Sequence, residues 1–306
     1  MFFSPRGPGE KKEGRHGCGF VSRLQTGAAP AFSNRFRSKR GVFTMIEVSH
    51  LRKTFRVARR DKGFQNAVKA LFRREYEEIH ALNDISFSIG EGEMVGYIGP
   101  NGAGKSSTIK VLSGVLTPDG GECRVDGRVP WKQRVKHVAQ IGVVFGQRSQ
   151  LWWDVPVIDS FELLKDIYKI PDALYRKNVG DLTELLDLSQ LLRTPTRQLS
   201  LGQRMRCEIA ASLLHSPKIL FLDEPTIGLD AVSKLAVRDF VKRLNKEHKT
   251  TVILTTHDMQ DIEALASRVI LIGKGKILLD GTLDDIRRGG EQIDETIAHL
   301  YKKYDI

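Results

Sequence analysis

Five short runs of residues could together handle a polyphosphate, and they follow one another along the chain at workable spacings. Gly99-Pro100-Asn101-Gly102-Ala103-Gly104-Lys105-Ser106, followed by Ser107, fits the pattern of a phosphate-binding loop. Such a loop surrounds clustered negative charge with backbone N–H groups and a helix N-terminus, provided no Cβ blocks the approach. Gly99, Gly102 and Gly104 would give that clearance, Lys105 would reach the β- and γ-phosphates, and Ser106 would ligate Mg²⁺. Gln147 comes next, then Leu199-Ser200-Leu201-Gly202-Gln203, then Ile219-Leu220-Phe221-Leu222 ending in Asp223-Glu224, and last His257. Two acids closing an apolar strand place carboxylates where ligands bind in open α/β sheets. Asp223 would hold Mg²⁺ and Glu224 would polarise an attacking water as general base. The bland alternatives are an ordinary glycine turn, a strand ending in a charged turn and a surface histidine. The order of the runs argues against all three at once.

These groups need strands and helices to carry them. Met94–Ile98 is a buried strand running into the Gly-rich loop, and Ser106–Leu116 is the helix which that loop opens. Further strands are expected at 46–57, 85–89, 122–125, 141–145, 219–222, 252–255 and 269–272, with a hairpin turn at Lys274-Gly275. Gln147 and His257 each follow one of these strands. Ile158, Phe161, Leu164, Ile167 and Tyr168 share a helix face, as do Leu182, Leu185, Leu186 and Leu188, and Val237, Phe240, Val241 and Leu244. Within the charged stretch 60–80, Phe64, Val68, Leu71 and Phe72 also lie at helical spacing. Alternating strands and helices predict an α/β fold with a mostly parallel sheet covered on both faces and an inserted helical lobe at about 150–205.

Composition narrows the class. The chain of 306 residues is 41% hydrophobic and 28% charged, enough for a sizeable core. No run approaches the roughly 18 apolar residues of a membrane span. Cys18, Cys123 and Cys207 are scattered without a CxxC pair, which argues against a zinc site or disulfide framework. Of the net charge of +11, residues 1–44 carry nine Lys/Arg against two Glu, a balance of +7 that leaves +4 for the rest. This tail has no apolar h-region and is no signal peptide. Three readings fit it: disorder, an arm for nucleic acid or anionic lipid, or translation that begins at Met45. The last is preferred, because Met45-Ile46-Glu47-Val48 opens directly into strand pattern.

With its Gly-rich loop upstream and its acidic strand end downstream, Leu199-Ser200-Leu201-Gly202-Gln203-Arg204 resembles the signature motif of the ATP-binding-cassette (ABC) ATPases, with Leu201 where the family usually has Gly. Ser200 also suits the N-cap of the helix after it. The resemblance covers about 46–285. It implies a P-loop NTPase (RecA-like) core with an antiparallel β subdomain, ATP and Mg²⁺ as cofactors, and a dimer in which Ser200 and Gly202 contact the γ-phosphate held by the opposite protomer. It further implies that Gln147 joins Ser106 and Asp223 at the metal and senses the γ-phosphate, and that His257 donates to it. Pro225-Thr226-Ile227-Gly228-Leu229-Asp230 resembles the D-loop, with Asp230 crossing the interface, and Phe55 stands where an aromatic stacks on adenine. The run Gly146 to Asp154, with Trp152 and Trp153, is similar to the drug- and glycan-exporting branch.

The resemblance thus implies an ATPase subunit, a homodimer or paired cassette, at the cytoplasmic face of a membrane, driving a separate transmembrane permease. Two alternatives are a soluble ABC ATPase acting on nucleic acid or ribosomes and one serving iron–sulfur assembly. The first usually shows paired cassettes, coiled-coil insertions or zinc CxxC pairs, and this chain has none, so no nucleic acid is expected. The expected organisation is a basic tail at 1–44, an ATPase domain at 45–285 and a short C-terminal helix at 286–306. A chain begun at Met45 is therefore expected to fold and to hydrolyse ATP like the full chain. Loss of turnover in a phosphate-release assay would show that the tail is needed.

Overall fold

A computed structural model describes residues 44–58, 76–146, 148–287 and 293–303. Six strands form the main sheet in the order β5 (Ile141–Phe145), β6 (Ile219–Asp223), β7 (Thr251–Thr256), β3 (Met94–Ile98), β8 (Arg268–Gly273) and β9 (Lys276–Thr282). The first five are parallel and β9 returns antiparallel as a hairpin. A second, antiparallel sheet holds β2 (Tyr76–Gly90), β1 (Thr44–Ala58) and β4 (Gly120–Val125) in that order.

The central strands are apolar runs because both their faces are covered. Every residue of β3, β6 and β7 is buried. Alternate side chains feed two cores. Leu220, Leu222, Val252, Leu254, Val269 and Leu271 face the helical lobe. Ile219, Phe221, Ile253, Ile270 and Ile272 face the antiparallel sheet. Period-two alternation of uniformly apolar residues is what a sheet sandwiched on both sides requires.

The helices are α1 (Lys105–Leu112), α2 (Arg134–Val138), α3 (Val157–Tyr168), α4 (Asp172–Leu186), α5 (Leu201–Leu213), α6 (Ala231–His248), α7 (Met259–Leu265), α8 (Leu283–Arg287) and α9 (Ile293–Lys303). The helical lobe comprises α3, α4, a 3₁₀ turn at Thr196–Gln198 and α5. Leu283, Ile286 and Ile297, on the last two helices, join the same core as the lobe.

Several boundaries differ from the sequence expectation, each for a local reason. Helix α1 stops at Leu112 rather than 116, because Ser113 caps it and Gly114 turns with φ 75°. Helix α4 stops at Leu186, where Asp187 takes φ 51°. Leu188 folds back, its N–H donating to Thr183 O at 3.0 Å. Tyr76–His80, expected inside a charged interruption, is instead the start of β2, paired with Ala58–Thr54 of β1. The expected helix face of Phe64, Val68, Leu71 and Phe72 lies outside the described residues.

Beneath the edge of the sheet sits a buried ion pair. Asp261 of α7 is fully buried and accepts from Arg238 Nε of α6 at 2.6 Å. The hydroxyls of Thr226, after β6, and Thr256, at the end of β7, donate to its other oxygen. This carboxylate joins two helices to two strand ends. Asp261→Ala leaves the buried Arg238 guanidinium only the longer contact to Asp258, at 3.7 Å, and loss of the nearer partner of a buried pair is expected to destabilise by about 3–5 kcal/mol. Urea unfolding followed by fluorescence would measure it; a shift below about 1 kcal/mol would mean that Asp258 or water satisfies Arg238 instead.

Candidate nucleotide site

Because β5, β6, β7 and β3 are neighbours and parallel, their C-terminal ends open on one edge of the sheet, where α/β folds bind ligands. The Gly-rich loop leaves β3 there. Ala103 N–H donates to Pro100 O at 3.2 Å, and Thr108 N–H to Gly104 O at 2.9 Å. Gly102 and Gly104 have φ of 80° and 113°, a region that disfavours any side chain. The two differ in what a Cβ would meet. At Gly104 it would lie 2.4 Å from Ala81 O, whereas at Gly102 nothing stands within 4 Å. Gly104 is therefore required by packing of the loop on β2, and Gly102 by backbone conformation with open space beside it.

The loop walls a cavity of about 280 Å³ lined by Pro100, Asn101, Gly102, Lys105, Ser106 and Ser107 together with Ala81, Glu224, Ile227 and His257. Lys105 is buried at the base of the loop. Its Nζ donates to Gly99 O at 2.6 Å and Pro100 O at 3.2 Å, and lies 3.8 Å from Glu224 Oε1. Burial pushes its ammonium below the ordinary lysine value, against the pull of the Glu224 and Asp223 carboxylates. A cation held beside an open cavity by two carbonyls and one acid has donor capacity that an anion can use.

Asp223 closes β6. Its Oδ1 accepts from Ser106 Oγ at 3.2 Å and from Thr255 Oγ1 at 2.6 Å. Thr255 also binds the next residue: Glu224 N–H donates to both its Oγ1, at 3.1 Å, and its O, at 3.0 Å. Glu224 is held at φ 57°, a left-handed conformation that costs a non-glycine residue of order 1–3 kcal/mol and persists only where surroundings enforce it. His257 Nδ1 donates to Glu224 Oε2 at 2.6 Å. Ser106 Oγ and Asp223 Oδ1 are hard oxygen donors at one point, the type Mg²⁺ takes.

Several expected residues lie elsewhere. Gln147 is outside the described residues. Its neighbour Gly146 donates from N to Asp223 O at 2.8 Å, and a Cβ on it would lie 2.4 Å from Glu224 O. Phe55, on β1, is 37% exposed and does not line the cavity; Lys53 Nζ sits 5.7 Å from its ring centre.

Ser200, Gly202, Gln203 and Asp230 form a second constellation that shares no lining residue with the cavity. Ser200 caps α5 through a capping box: its Oγ accepts from Gln203 N at 3.2 Å, and Gln203 Oε1 accepts from Ser200 N at 2.9 Å. Asp230 caps α6, accepting from Ser233 N at 2.9 Å and Ser233 Oγ at 2.7 Å. A Cβ at Gly202 would lie 2.3 Å from Ser233 Oγ. The glycine thus lets the two caps touch. Leu201 turns towards Gly228, where a Cβ would come within 2.9 Å of its Cδ2.

Thr255, Ala81 and the buried Glu208 are not singled out by the sequence, and Ile227 enters only as part of the run 225–230. For Thr255 a signal existed: two threonines end an otherwise apolar strand. Ala81 carries no chemistry that a motif could reveal.

The parallel sheet, the loop and the acidic strand end define a P-loop NTPase. A family model described as ABC transporter matches residues 82–227. The linearmycin resistance ATP-binding protein LnrL of Bacillus subtilis (strain 168) is 34% identical over 223 residues, covering 72% of this chain and 71% of that protein. The daunorubicin resistance ATP-binding protein DrrA3 of Streptomyces coeruleorubidus is 34% identical over 223 residues, covering 72% and 70%. Among solved structures, a dimeric post-hydrolysis state of the ATP-binding cassette MJ0796, bound to ADP and Pi, superposes with a TM-score of 0.65 at 26% identity, covering 78% of this chain and 99% of that one. The chain belongs to the ABC transporter ATP-binding family, and it is an ATPase.

Lys105→Ala removes the cation beside the cavity. A charge-assisted contact is worth about 1.5–3 kcal/mol, so ATP affinity in a fluorescent-nucleotide titration is expected to fall roughly 10- to 100-fold. Unchanged affinity would remove Lys105 from phosphate binding.

Proposed function

We propose that this protein is the ATP-hydrolysing subunit of an exporter, acting from the cytoplasmic face of a membrane on a separate permease. Among the described residues no helix is long and apolar enough to cross a membrane. The observation that carries the reading is the convergence of Lys105, Ser106, Asp223, Glu224 and His257 at adjacent strand ends.

In this reading the Gly99–Ser107 backbone and Lys105 bind the phosphates of ATP, with Phe55 near the base. Ser106 and Asp223 hold Mg²⁺, joined by Gln147. A metal held there would supply positive charge to offset that of the phosphates. Glu224 takes the proton of the attacking water, and His257 fixes the Glu224 carboxylate while facing the phosphate. Thr255 orients Asp223 and the Glu224 backbone together, so metal and base move as one unit.

The second constellation supports a dimer. On one chain the Ser200–Gln203 loop and the phosphate cavity have no lining residue in common. Two copies in antiparallel arrangement would bring Ser200 and Gly202 of each onto the γ-phosphate of the other, with Asp230 at the crossing. Closure on ATP and opening after hydrolysis would then be the stroke. Relatives named for linearmycin and daunorubicin resistance support the exporter reading. The permease contact would include Trp152 and Trp153, which are 59% and 52% exposed instead of being packed inside the lobe. Exposed aromatic pairs of this kind anchor interfaces.

Glu224→Gln keeps the shape of the side chain and removes the base. Turnover is expected to drop at least about 100-fold with ATP binding retained, and the variant should elute as a dimer in Mg-ATP. A monomeric variant with normal turnover would overturn the assignment. A cysteine placed at Trp153 is expected to crosslink to a membrane protein in native membranes; no crosslink in either nucleotide state would exclude that face from the permease contact.

A further inference from the structure

A buried carboxylate outside the nucleotide site connects its two halves. Glu208 lies on α5, two helical turns beyond the Ser200 cap, and is only 4% exposed. Its partners are all in the segment that follows Gln147. Ser149 Oγ donates to Glu208 Oε1, and Gln150 N–H donates to Glu208 Oε2 at 3.1 Å. Gln150 Nε2 returns to Glu208 O at 3.0 Å. Ser149 Oγ in turn accepts from Leu151 N at 3.1 Å, and Leu151 is a core residue. Both carboxylate oxygens and the backbone carbonyl of one residue thus grip two successive residues of a loop, 59 and 58 positions away in sequence, and the third, Leu151, is tied in through Ser149.

We infer that Glu208 is a positioning residue that sets the Ser200–Gln203 loop according to the position of residues 148–151. The inference rests on the function proposed above. Helix α5 is continuous from Leu201 to Leu213, with its first turn fixed by the capping box. Eight residues of helix span about 12 Å and transmit displacement as a rod. A shift of the loop therefore tilts α5 from Glu208 and carries Ser200 with it.

Two observations favour this over a purely packing role. First, the site is one where a carboxylate is disfavoured. Burial pushes the Glu208 carboxyl above its ordinary value, with bonds from Ser149 and from the Gln150 and Leu151 backbone opposing the shift. An apolar side chain would fill the same space without that penalty. Second, the loop has room to move. Ser149, Gln150 and Glu208 line an open groove of about 400 Å³ between the β5 edge and the lobe, so residues 148–150 are not locked by core on all sides.

The test compares Glu208→Ala, Glu208→Gln and Ser149→Ala in the full chain. ATP affinity of the monomer, read by fluorescent-nucleotide titration, is expected to stay within about 2-fold, because Glu208 does not line the nucleotide cavity. Turnover of Glu208→Ala should fall about 10-fold or more, with Glu208→Gln between it and wild type, since an amide oxygen still accepts from one donor. Ser149→Ala should have a smaller effect that vanishes when Glu208 is already Ala. In the Glu224→Gln background, Glu208→Ala should weaken ATP-driven dimerisation by a similar factor.

Equal turnover in a folded Glu208→Ala protein would overturn the inference. So would a loss matched by an equal loss of nucleotide affinity, or additive effects of Ser149→Ala and Glu208→Ala. Should Glu208→Ala fail to fold, Ser149→Ala and Glu208→Gln carry the same comparison. Failure of Glu224→Gln to dimerise would count against the dimer reading instead, and the turnover comparison would still decide the role of Glu208.

Discussion

One carboxylate oxygen, Asp223 Oδ1, gathers three segments of chain. It accepts from Ser106 at the start of α1 and from Thr255 on β7, while its own strand, β6, leads straight into Glu224. A wrong register in any of the strands would break the cluster. A one-residue slip of β7 would also turn Thr255 to the opposite face and its apolar neighbours with it. The two cores therefore protect the site: Ile253 and Leu254 can be buried on their proper faces only in the register that aims Thr255 at Asp223. Hydrophobic burial and catalytic geometry are set by the same alternation.

The second constellation follows a different logic. Ser200 and Asp230 are each helix N-caps, so their side chains already have a structural task. A capped N-terminus also carries partial positive charge and oriented N–H groups. Stability of α5 and readiness to meet a phosphate are properties of one local geometry. Gly202 adds a constraint within the chain itself, since any Cβ there would collide with Ser233 and loosen the Asp230 cap. Leu201 packs towards Gly228, where a Cβ would come within 2.9 Å of its Cδ2.

Sequence carried much of this and missed the rest for physical reasons. The strands around the site were legible because a short, uniformly apolar run that ends in polar residues suits little besides a strand covered on both faces. The Gly-rich loop was legible as a pattern, yet the reason for Gly104 was not. Its Cβ is excluded by Ala81 O, and Ala81 lies more than twenty residues earlier on another sheet. Helix ends at Ser113 and Asp187 depended on single residues adopting capping or left-handed conformations, which leave little trace in periodicity. Glu208 was invisible because an acid inside a helix normally faces water, and its partners are brought to it only by the tertiary fold.

Glu224 shows how the parts combine. A glutamate at φ 57° is strained, and the strain is opposed by two hydrogen bonds to Thr255, one to its hydroxyl and one to its carbonyl. An extended conformation at 224 would relieve the backbone. It would also swing the carboxylate off His257 and out of reach of Lys105, 2.6 Å and 3.8 Å away as it stands. The turn after β6 thus holds a carboxylate in a conformation it would not choose alone. The same turn supplies Gly146 with its partner, Asp223 O, so the strand that precedes Gln147 is fastened to the backbone beside Glu224. Movement of the segment after β5 is accordingly felt at Glu224 by a direct backbone contact and at Ser200 through Glu208. In the proposed dimer those are the two points that must align before hydrolysis can proceed.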